Sequence, residues 1–554
     1  MEDPPIPRHQ PPAAPTVADD GETPAAVATE WLVATLALAV GLVVSCWETL
    51  TSGFRLVQGD LGDTRLINFT LEHSYRWLSG MPLAEDLWSP PIFYPLQHVA
   101  FYTDLLLGVA PLYWPWRWLG ASPETSYQLW MLSIWSLNFV AAYLLLRRGL
   151  RASAIGAAAG AYLFSFGSSI MVNIVHQQLA PRFFLLVSLA GLVAIFRPPG
   201  PSDSKARHWW ASAAFWGGLV AQLHTAVYPL VFLLLAGAGA AILVVSAGGL
   251  RRPALAALRR DATALVVTGF AAAVLSAPAA LRYASTAEEV GLRSADRISY
   301  PRILSWFLTG RNNRIYGGLQ TALDLGFDAK VSRNNGLGVI TLATAAGGLW
   351  LGRRRWDVQL VVAGFAGLVI LTLVLPGGWS PWLLVRRLLP PTAALRAVVR
   401  VGLMTLFPAA LGLAIVADRL AGARRWGIVA LLSLFVVAEQ SHRTPTYDKA
   451  ANSQRIESTA RRVPSEATAF LLVAAGTPWH GHMHDDAAWV ALATGVPTIN
   501  GRSGNAPRGW TLGRPAFRDE DGARELRAKV AAWARRNRLR TDSIALIEVD
   551  PTPR

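Results

Sequence analysis

Runs of about twenty residues without an ionised side chain recur along this 554-residue chain, and they limit its possible folds more than any other feature. An α-helix needs about twenty apolar residues to cross the roughly 30 Å hydrocarbon core of a bilayer. Charged residues make up only 16% of the chain, whereas ordinary soluble domains carry about 25%. The alternating patterns typical of membrane β-strands are absent from the sequence. We therefore predict an α-helical polytopic membrane protein.

The net charge of +15 is distributed in short basic clusters between the apolar runs. Basic residues concentrate in cytoplasmic loops, so this pattern indicates membrane topology and not a nucleic-acid partner. The clusters are Arg147, Arg148 and Arg151; Lys205 and Arg207; Arg251, Arg252, Arg259 and Arg260; Arg353 to Arg355; and Arg419, Arg424 and Arg425. If every cluster is cytoplasmic, an even number of crossings separates each from the next.

About eleven spans satisfy this rule, with the N-terminus inside. They are predicted at 31–50, in a helix ending in LLRR at 145–148, in hairpins within 152–196 and 209–248, and at 262–281, 336–352, 358–375, 398–417 and 425–440. The segment from Val99 to Leu119 is also long enough to cross. Its tryptophans, prolines and Asp104 instead favour a helix lying in the membrane interface.

The chain divides into three predicted parts. These are a disordered tail at 1–27, a transmembrane domain at 28–440 with external loops at 51–124 and 282–335, and a domain at 441–554. Strand-like runs in the last part cover Ala467 to Ala475 and Ser543 to Val549, and helix-like runs cover Asp485 to Thr494 and Gly522 to Asn537. We predict a small extracytoplasmic α/β domain.

Two aspartates open the first external loop, in the segment QGDLGDTRLINFTLEH at 58–73. In a helical turn Asp60 and Asp63 would share one face. Such a pair can act as a general base toward a hydroxyl or hold a divalent metal through its oxygens. Alternatively, the two acids cap a helix N-terminus. Arg65, Glu72 and His73 follow in the same segment.

Other polar residues are predicted to lie beside the outer leaflet. Arg396 and Arg400 are four residues apart at the outer mouth of a span, where arginines snorkel to the headgroups or bind an anionic phosphate. His176, Gln178 and His224 lie in external turns between spans. They either face a ligand or satisfy each other across helices. The histidines of HGHMHDD at 480–486 are interpreted as a solvated loop.

Several segments together resemble the GT-C class of polytopic glycosyltransferases, and in particular its poorly characterised bacterial members. They are the GD-x-GD-x-R-L-x-N segment after the first span, LWSPPIFYP at 87–95, Asp104 in the interfacial segment, LLRR at 145–148, the HQQLAPRFF and QLHTAVYP runs, and GVPTINGRSGNAPRGW at 495–510. The resemblance covers most of the chain.

The resemblance implies roles for individual residues. In that class an acidic residue in the first external loop is central to catalysis, which here is Asp63, with Asp60 as an accessory or rival. The donors are sugars on polyprenyl phosphates or diphosphates, so Arg396 and Arg400 become candidates for the donor phosphate. The remaining substrate-binding candidates are Arg65, Glu72, His73, Asp104, His176, Gln178, His224 and Tyr228.

This sequence has GDLGD where several members of the class have an Asp-Glu or Glu-Asp pair. The difference leaves open whether Asp63 is a base or a metal ligand. If Asp60 and Asp63 bind a metal, the implied cofactor is a divalent ion, Mg²⁺ or Mn²⁺.

The sequence as a whole predicts a glycosyltransferase (EC 2.4 class) in a bacterial plasma membrane. It would move a sugar from a polyprenyl-phosphate donor to a glycan, lipid or protein acceptor on the extracytoplasmic face. Arginine outnumbers lysine by 47 to 4, which is typical of a GC-rich bacterial genome. The alternatives are a transporter or flippase for a lipid-linked or acidic solute, and a non-catalytic scaffold. The large one-sided loops and the lack of related halves favour the enzyme.

Overall fold

The computed structural model describes residues 24–200, 204–290, 298–324, 334–375, 378–389, 392, 395–476 and 479–549. Most of the tail predicted at 1–27 lies outside these residues, and the first helix already begins at Pro24. Parts of the external loop predicted at 282–335 also lie outside them, and its first residues instead continue a helix to Val290.

The described residues form a helical bundle with a small α/β domain. The helices up to residue 260 are α1 Pro24–Ser45, α2 Trp47–Thr51, α3 Asp63–Leu78, α4 Trp114–Trp118, α5 Pro123–Leu144, α6 Ala154–Phe166, α7 Ser168–Met171, α8 Phe183–Phe196, α9 Lys205–Leu223, α10 Val227–Ser246 and α11 Gly248–Arg260. The later helices are α12 Ala262–Val290, α13 Gly317–Asp324, α14 Val339–Leu351, α15 Trp356–Thr372, α16 Trp382–Leu388, α17 Gly402–Gly422, α18 Trp426–Glu439, α19 Lys449–Ala460, α20 Met483–Thr494 and α21 Glu520–Arg536. The strands are β1 Leu56–Gln58, β2 Thr446–Asp448, β3 Ala469–Ala475, β4 Ala516–Phe517 and β5 Ile544–Val549.

Seven helices within the described residues are long and apolar enough to cross a membrane. They extend over Val27–Ser45, Pro123–Gly149, Ala154–Met171, Gln177–Phe196, Val227–Ser246, Ala262–Glu289 and Val398–Gly422. Three shorter helices, α14, α15 and α18, are also apolar. The predicted polytopic helical fold is therefore confirmed, and the count of eleven crossings stays a prediction.

Helix α17 lies at the centre of the bundle, where small residues allow backbones to approach. A Cβ atom added at Gly160 of α6 would lie 2.7 Å from the carbonyl oxygen of Ala410. A Cβ atom added at Gly348 of α14 would lie 1.8 Å from the carbonyl oxygen of Gly412. Such contacts between small residues are a common means of packing membrane helices, because lipid supplies no hydrophobic drive for association.

The basic gaps between helices meet at one end of the bundle, which we call the basic end. Arg355 donates a hydrogen bond from Nη2 to the carbonyl oxygen of Leu150 at 3.0 Å. The Ser153 hydroxyl donates to Asp418 at 2.6 Å. Three of the predicted cytoplasmic gaps are therefore neighbours in space. The opposite end carries α3 and the terminal domain, and we call it the site end.

The segment from Val99 to Leu119 is not the continuous interfacial helix that we predicted. It forms two 3₁₀ turns, Val99–Tyr102 and Ala110–Leu112, followed by the short helix α4. Leu106 has a φ angle of 59°, in the left-handed region, so a right-handed helix cannot continue through it.

A two-stranded sheet ties the first external loop to the chain that leaves the last helix of the bundle. Strands β1 and β2 are antiparallel, with Leu56 opposite Asp448 and Gln58 opposite Thr446. Because β2 leads directly into α19, this pairing holds the terminal domain close to α3.

The terminal domain is built on a parallel sheet in the order β4-β3-β5. Successive side chains of a strand point to opposite faces. Leu471 and Val473 of the central strand accordingly pack with Val530 and Trp533 of α21, whereas Phe470 and Leu472 of the same strand pack on the other side with residues of α20. The predicted strands and helices of this α/β domain are confirmed.

Candidate functional site

The loop before α3 determines where Asp63 lies. The Asp60 carboxylate accepts hydrogen bonds from the backbone N–H groups of Gly62 at 3.2 Å and Thr64 at 3.1 Å. The Thr64 hydroxyl in turn accepts from the Asp60 N–H at 3.0 Å. Asp60 therefore caps the N-terminus of α3, which is the alternative to a catalytic or metal-binding role for this residue. Asp63 becomes the first residue of α3.

Both carboxylate oxygens of Asp63 are engaged by side chains from distant parts of the sequence. Oδ2 lies 3.0 Å from Nε2 of His176, and Oδ1 accepts a hydrogen bond of 2.7 Å from Nη2 of Arg502. Burial alone would raise the pKa of the Asp63 carboxyl. The hydrogen bonds and charges of His176 and Arg502 outweigh burial and hold this pKa well below its usual range. Asp63 is thus ionised at neutral pH.

A chamber of about 540 Å³ opens beside Asp63 at the site end. Its lining comes from α3, the turns at 101–106 and 176–178, the junction of α9 and α10, the end of α12, the segment 395–400 and a loop of the terminal domain. The polar side chains of the lining are Asp63, Thr70, Tyr102, Thr103, Asp104, His176, Gln178, Tyr228, Tyr283, Thr286, Arg396, Arg400, Arg502, Ser503 and Asn505. Seven predicted site residues therefore share one chamber, namely Asp63, Asp104, His176, Gln178, Tyr228, Arg396 and Arg400.

The start of α10 organises the far wall of the chamber. Asp104 accepts a hydrogen bond of 3.0 Å from the backbone N–H of Val227, the first residue of α10. Burial raises the pKa of Asp104, against the opposing effects of that N–H and of the charge on Arg400. The Tyr228 hydroxyl accepts from the backbone N–H of Arg396 at 2.9 Å. These contacts lock α10 to the segment that carries both arginines.

Arg396 and Arg400 present positive charge to the chamber. The Arg400 guanidinium lies over the Tyr228 ring, 4.8 Å from its centroid. Among the described residues, neither guanidinium has a carboxylate within 4.0 Å or a hydrogen bond to the protein. Arg400 is only 7% exposed, and a buried charge is costly unless it is paired. The arrangement is suited to an anionic group.

Five other candidates lie outside the chamber lining, and helical periodicity explains two of them. Asp63, Leu66, Ile67 and Thr70 line the chamber at helical spacing, which defines one face of α3. Arg65 and Glu72 lie on the opposite side of the helix, so their positions do not support the prediction that they bind substrate together with Asp63. His73, three residues after Thr70, lies on the chamber face but outside the chamber lining, and it lines a smaller cavity together with Leu66, Thr70 and Arg502.

These residues instead make structural contacts. Arg65 is buried in an ion pair with Asp486 of the terminal domain. Glu72 is buried and accepts hydrogen bonds from Arg117 at 2.7 Å and from the Tyr113 hydroxyl at 2.8 Å. His73 contacts the carbonyl oxygen of Asp86 at 3.2 Å, and burial lowers the pKa of its imidazole to about 4.

His224 and Asp60 complete the group outside the chamber. His224 contacts the carbonyl oxygen of Val220 at 2.9 Å and lines a separate groove between α9 and α12. Asp60 is used as the cap described above. His484 of the HGHMHDD segment is buried and accepts from the backbone N–H of Gly501, so it is not the solvated residue that we predicted.

The sequence prediction missed Arg502, which the terminal domain places against Asp63. Arg502 lies within GVPTINGRSGNAPRGW, the run that carried part of the resemblance, but that run contained no signal for a contact 439 residues away in sequence. Its neighbours Ser503 and Asn505 also line the chamber.

The Mg²⁺ or Mn²⁺ ion implied for Asp60 and Asp63 stays a prediction. No group of three histidine, cysteine, aspartate or glutamate side chains within the described residues is placed to hold a metal ion. Asp63 lies against the cationic guanidinium of Arg502, and Asp60 is bonded to backbone N–H groups.

The fold of this chain is similar to that of a solved oligosaccharyltransferase. The oligosaccharyltransferase of Archaeoglobus fulgidus, tethered to an acceptor peptide, aligns with a TM-score of 0.51 at 12% identity over 90% of this chain and 68% of that chain. The alignment with the apo form of the same enzyme covers 64% of the enzyme's chain. This chain therefore spans about two thirds of the enzyme's length.

Weaker similarity extends to two other enzymes. ArnT from Cupriavidus metallidurans bound to undecaprenyl phosphate aligns at 13% identity over 85% of each chain with a TM-score of 0.43. The arabinofuranosyltransferase AftD from Mycobacteria aligns at 13% identity over 87% of this chain and 33% of that chain with a TM-score of 0.45. No protein-family model and no curated protein matches the sequence.

The fold and the chamber thus define a polytopic membrane protein with a polar site at one end of its bundle. More particularly, the chain has a GT-C-like fold.

Proposed function

We propose that this chain is a membrane glycosyltransferase that moves a sugar from a polyprenyl-phosphate-linked donor to an acceptor hydroxyl on the extracytoplasmic face. One observation carries the proposal: the ionised carboxylate of Asp63 and the cationic side chains of Arg396 and Arg400 line the same chamber. Transfer from such a donor needs both kinds of group, because the hydroxyl loses a proton while the leaving phosphate gains charge. The fold shared with the archaeal oligosaccharyltransferase supports it.

In the proposed reaction the acceptor oxygen forms a bond to the anomeric carbon, and the bond from that carbon to the phosphate oxygen breaks. The leaving phosphate keeps the electron pair of the broken bond. Arg396 and Arg400 stabilise its charge through charge-assisted hydrogen bonds. The hydroxyl proton passes to Asp63. Asp104, His176, Gln178 and Tyr228 form the wall that positions the two substrates.

The apolar surroundings of the arginines support a donor carried on lipid. The chamber lining includes Leu395, next to Arg396 in the sequence, and alanines of α12, a helix long and apolar enough to cross a membrane. A phosphate held at Arg396 and Arg400 would allow its prenyl chain to remain in the bilayer. Basic loops face the cytoplasm, so the site end, opposite the basic end, would be extracytoplasmic.

The test is the replacement Asp63→Asn in full-length protein in proteoliposomes. Sugar transfer from polyprenyl-phosphate sugars to added acceptors is measured by product chromatography. We expect at least an approximately hundredfold loss of transfer, since a general base contributes about 10²–10⁴ in rate. Asp521→Asn, at an exposed acid on α21, is the matched control and should leave the rate unchanged. A wild-type rate of transfer by Asp63→Asn would overturn the role of Asp63. Lipid transport without sugar transfer by the unmodified protein would overturn the enzyme proposal.

A further inference from the structure

Among the described residues, three arginines line the chamber, and Arg502 is the one that belongs to the terminal domain. Its two terminal nitrogens hold two carboxylates. Nη2 donates to Asp63 at 2.7 Å, and Nη1 donates to Asp485 at 2.9 Å. Asp485 lies near the start of α20, so Arg502 links the terminal domain to the first turn of α3.

The two contacts of Arg502 differ in burial. The Asp485 side chain is 1% exposed, whereas that of Asp63 is 25% exposed. Oδ1 of Asp485 is buried without a hydrogen-bond partner among the described residues. Burial raises the pKa of Asp485 well above its usual range, and the charge of Arg502 opposes this rise. Removing Arg502 would leave both oxygens of this buried carboxyl without a hydrogen-bond partner among the described residues, which is unfavourable. Without Arg502, Asp63 would keep its contact with His176 and its partial exposure to solvent. The contact with Asp63 is consequently the one that can open while Arg502 remains on Asp485.

Opening of that contact is needed for the proposed chemistry. His176 and Arg502 occupy both oxygens of Asp63. An acceptor hydroxyl that approaches from the chamber must replace one of them. His176 and Arg502 both lie in the chamber lining, but Arg502 keeps its hydrogen bond to Asp485 when its contact with Asp63 opens. Nδ1 of His176 has no partner among the described residues, so the imidazole would lose its hydrogen bond there if it left Asp63.

We infer that Arg502 is a positioning residue for the proposed transfer. Anchored on Asp485, it holds Asp63 ionised and aimed into the chamber, and it yields one Asp63 oxygen to the acceptor hydroxyl. The site is then incomplete without the terminal domain. This inference rests on the proposed glycosyltransferase function and adds to it a residue from a separate domain.

Several charged groups surround Asp63, and each bears on a pH test. His176 faces it from the turn at 176–178, and Arg502 and Asp485 face it from the terminal domain. Arg65, two residues along α3, is committed to Asp486. Asp104, Arg396 and Arg400 lie elsewhere on the chamber lining. Among the described residues, only Arg502 and His176 make a hydrogen bond or ion pair with the Asp63 carboxylate. Replacing Arg502 should therefore change the pKa of Asp63 in one direction, upward.

The first test needs no substrate. Dicyclohexylcarbodiimide modifies protonated carboxyls, and the labelling of Asp63 is followed by peptide mass spectrometry across the pH range. An arginine neighbour lowers the pKa of a carboxyl by about 1–3 units. We expect Arg502→Gln to raise the midpoint pH of Asp63 labelling by about one unit or more. Arg508→Gln, an exposed arginine of the same loop, should match wild type.

A conservative variant keeps the test decisive if Arg502→Gln fails to fold. Lysine carries a point charge and lacks the fork that holds two carboxylates at once. Arg502→Lys should therefore give a labelling midpoint between those of wild type and Arg502→Gln. A midpoint equal to wild type in both variants would overturn the inference.

The transfer assay separates this inference from the proposed function. Arg502→Gln should lower kcat and move the acidic limb of the pH–rate profile to higher pH, and Arg502→Lys should restore part of both. If Asp63→Asn abolishes transfer but Arg502→Gln leaves the profile unchanged, the role of Arg502 is wrong and the enzyme proposal stands. If Asp63→Asn transfers normally, the role of Asp63 is wrong, and with it the role of Arg502. If the wild-type protein transfers no sugar, the enzyme proposal fails, whatever the labelling result.

Discussion

Asp63 illustrates how much a side chain's chemistry depends on its neighbours. Exposed aspartates have pKa values of about 3.9. Burial would raise the pKa of Asp63, but His176 and Arg502 hold it well below that value. An aspartate with so low a pKa is a weak base while both contacts persist. Its reactivity therefore depends on residues 113 and 439 positions away, by the numbering of His176 and Arg502.

Arg400 is the residue at which donor binding can be tested directly. A hydrogen bond to a charged group contributes about 1.5–3 kcal/mol, and about 1.4 kcal/mol corresponds to a tenfold change in Kd. We expect Arg400→Gln to weaken binding of undecaprenyl phosphate by about tenfold or more. The measurement is titration of the purified protein monitored by tryptophan fluorescence.

The control for that experiment is Arg387→Gln, because Arg387 is an exposed arginine on the preceding helix α16. The control should bind the lipid as wild type does. Equal affinities for Arg400→Gln and wild type would argue against a phosphate at this position.

At the scale of single elements, α3 shows why a cluster of polar residues divides into two groups. Residues three and four apart share a helical face. Asp63 and Thr70 therefore face the chamber together, while Arg65 and Glu72 make ion pairs that hold α3 to the terminal domain and to α4. Helix α3 therefore contributes residues both to the chamber and to the contacts that hold the helix in place.

Asp60 caps α3, and the contribution of this cap can be tested by substitution. Loss of a capping carboxylate costs about 0.5–2 kcal/mol. We expect Asp60→Ala to lower the thermal stability and to reduce transfer partially, because Asp63 stands in the turn that Asp60 holds. Asp60→Asn keeps an oxygen acceptor and should retain most of both. If Asp60→Asn abolished transfer with stability intact, Asp60 would have a catalytic or metal-binding role instead.

At the scale of the whole molecule, the terminal domain is docked on the bundle by buried charge. Asp486 pairs with Arg65 of α3 and, at 3.0 Å, with Arg455 of α19. Breaking a buried pair by removing one partner is strongly destabilising, since it leaves an unpaired charge. The antiparallel pairing of β1 with β2 adds a second attachment. Together these contacts keep the loop of Arg502 against the chamber.

The sidedness of the molecule is open to a direct experiment, because Cys46 is the single cysteine and is buried. In a Cys46→Ala background, Arg508→Cys reports on the terminal domain and Arg354→Cys on the basic end. A membrane-impermeant maleimide applied to intact cells should label the cysteine at 508 and spare the one at 354. The opposite pattern would place the chamber in the cytoplasm and rule out the proposed extracytoplasmic reaction.

The elements of this protein were largely predictable from local sequence. Apolar runs become helices in a bilayer because each backbone group must be satisfied within its own segment. The strands and helices of the terminal domain follow from periodicity in the same way. One exception is 99–119, where the left-handed backbone at Leu106 interrupts a run that has the composition of a helix. Another is the start of the loop predicted at 282–335, which continues α12 to Val290.

The membership of the site was decided by tertiary structure. Asp63, Arg396 and Arg400 could be nominated from position near predicted helix ends, but no local pattern indicates that Arg502 reaches Asp63 or that Arg65 reaches Asp486. Periodicity acts over a few residues, whereas these pairs form only when two domains pack. The sequence determined a helical membrane bundle with an α/β domain. Packing of that domain on α3 decided which charges meet, because a charge taken from water must find its partner in space.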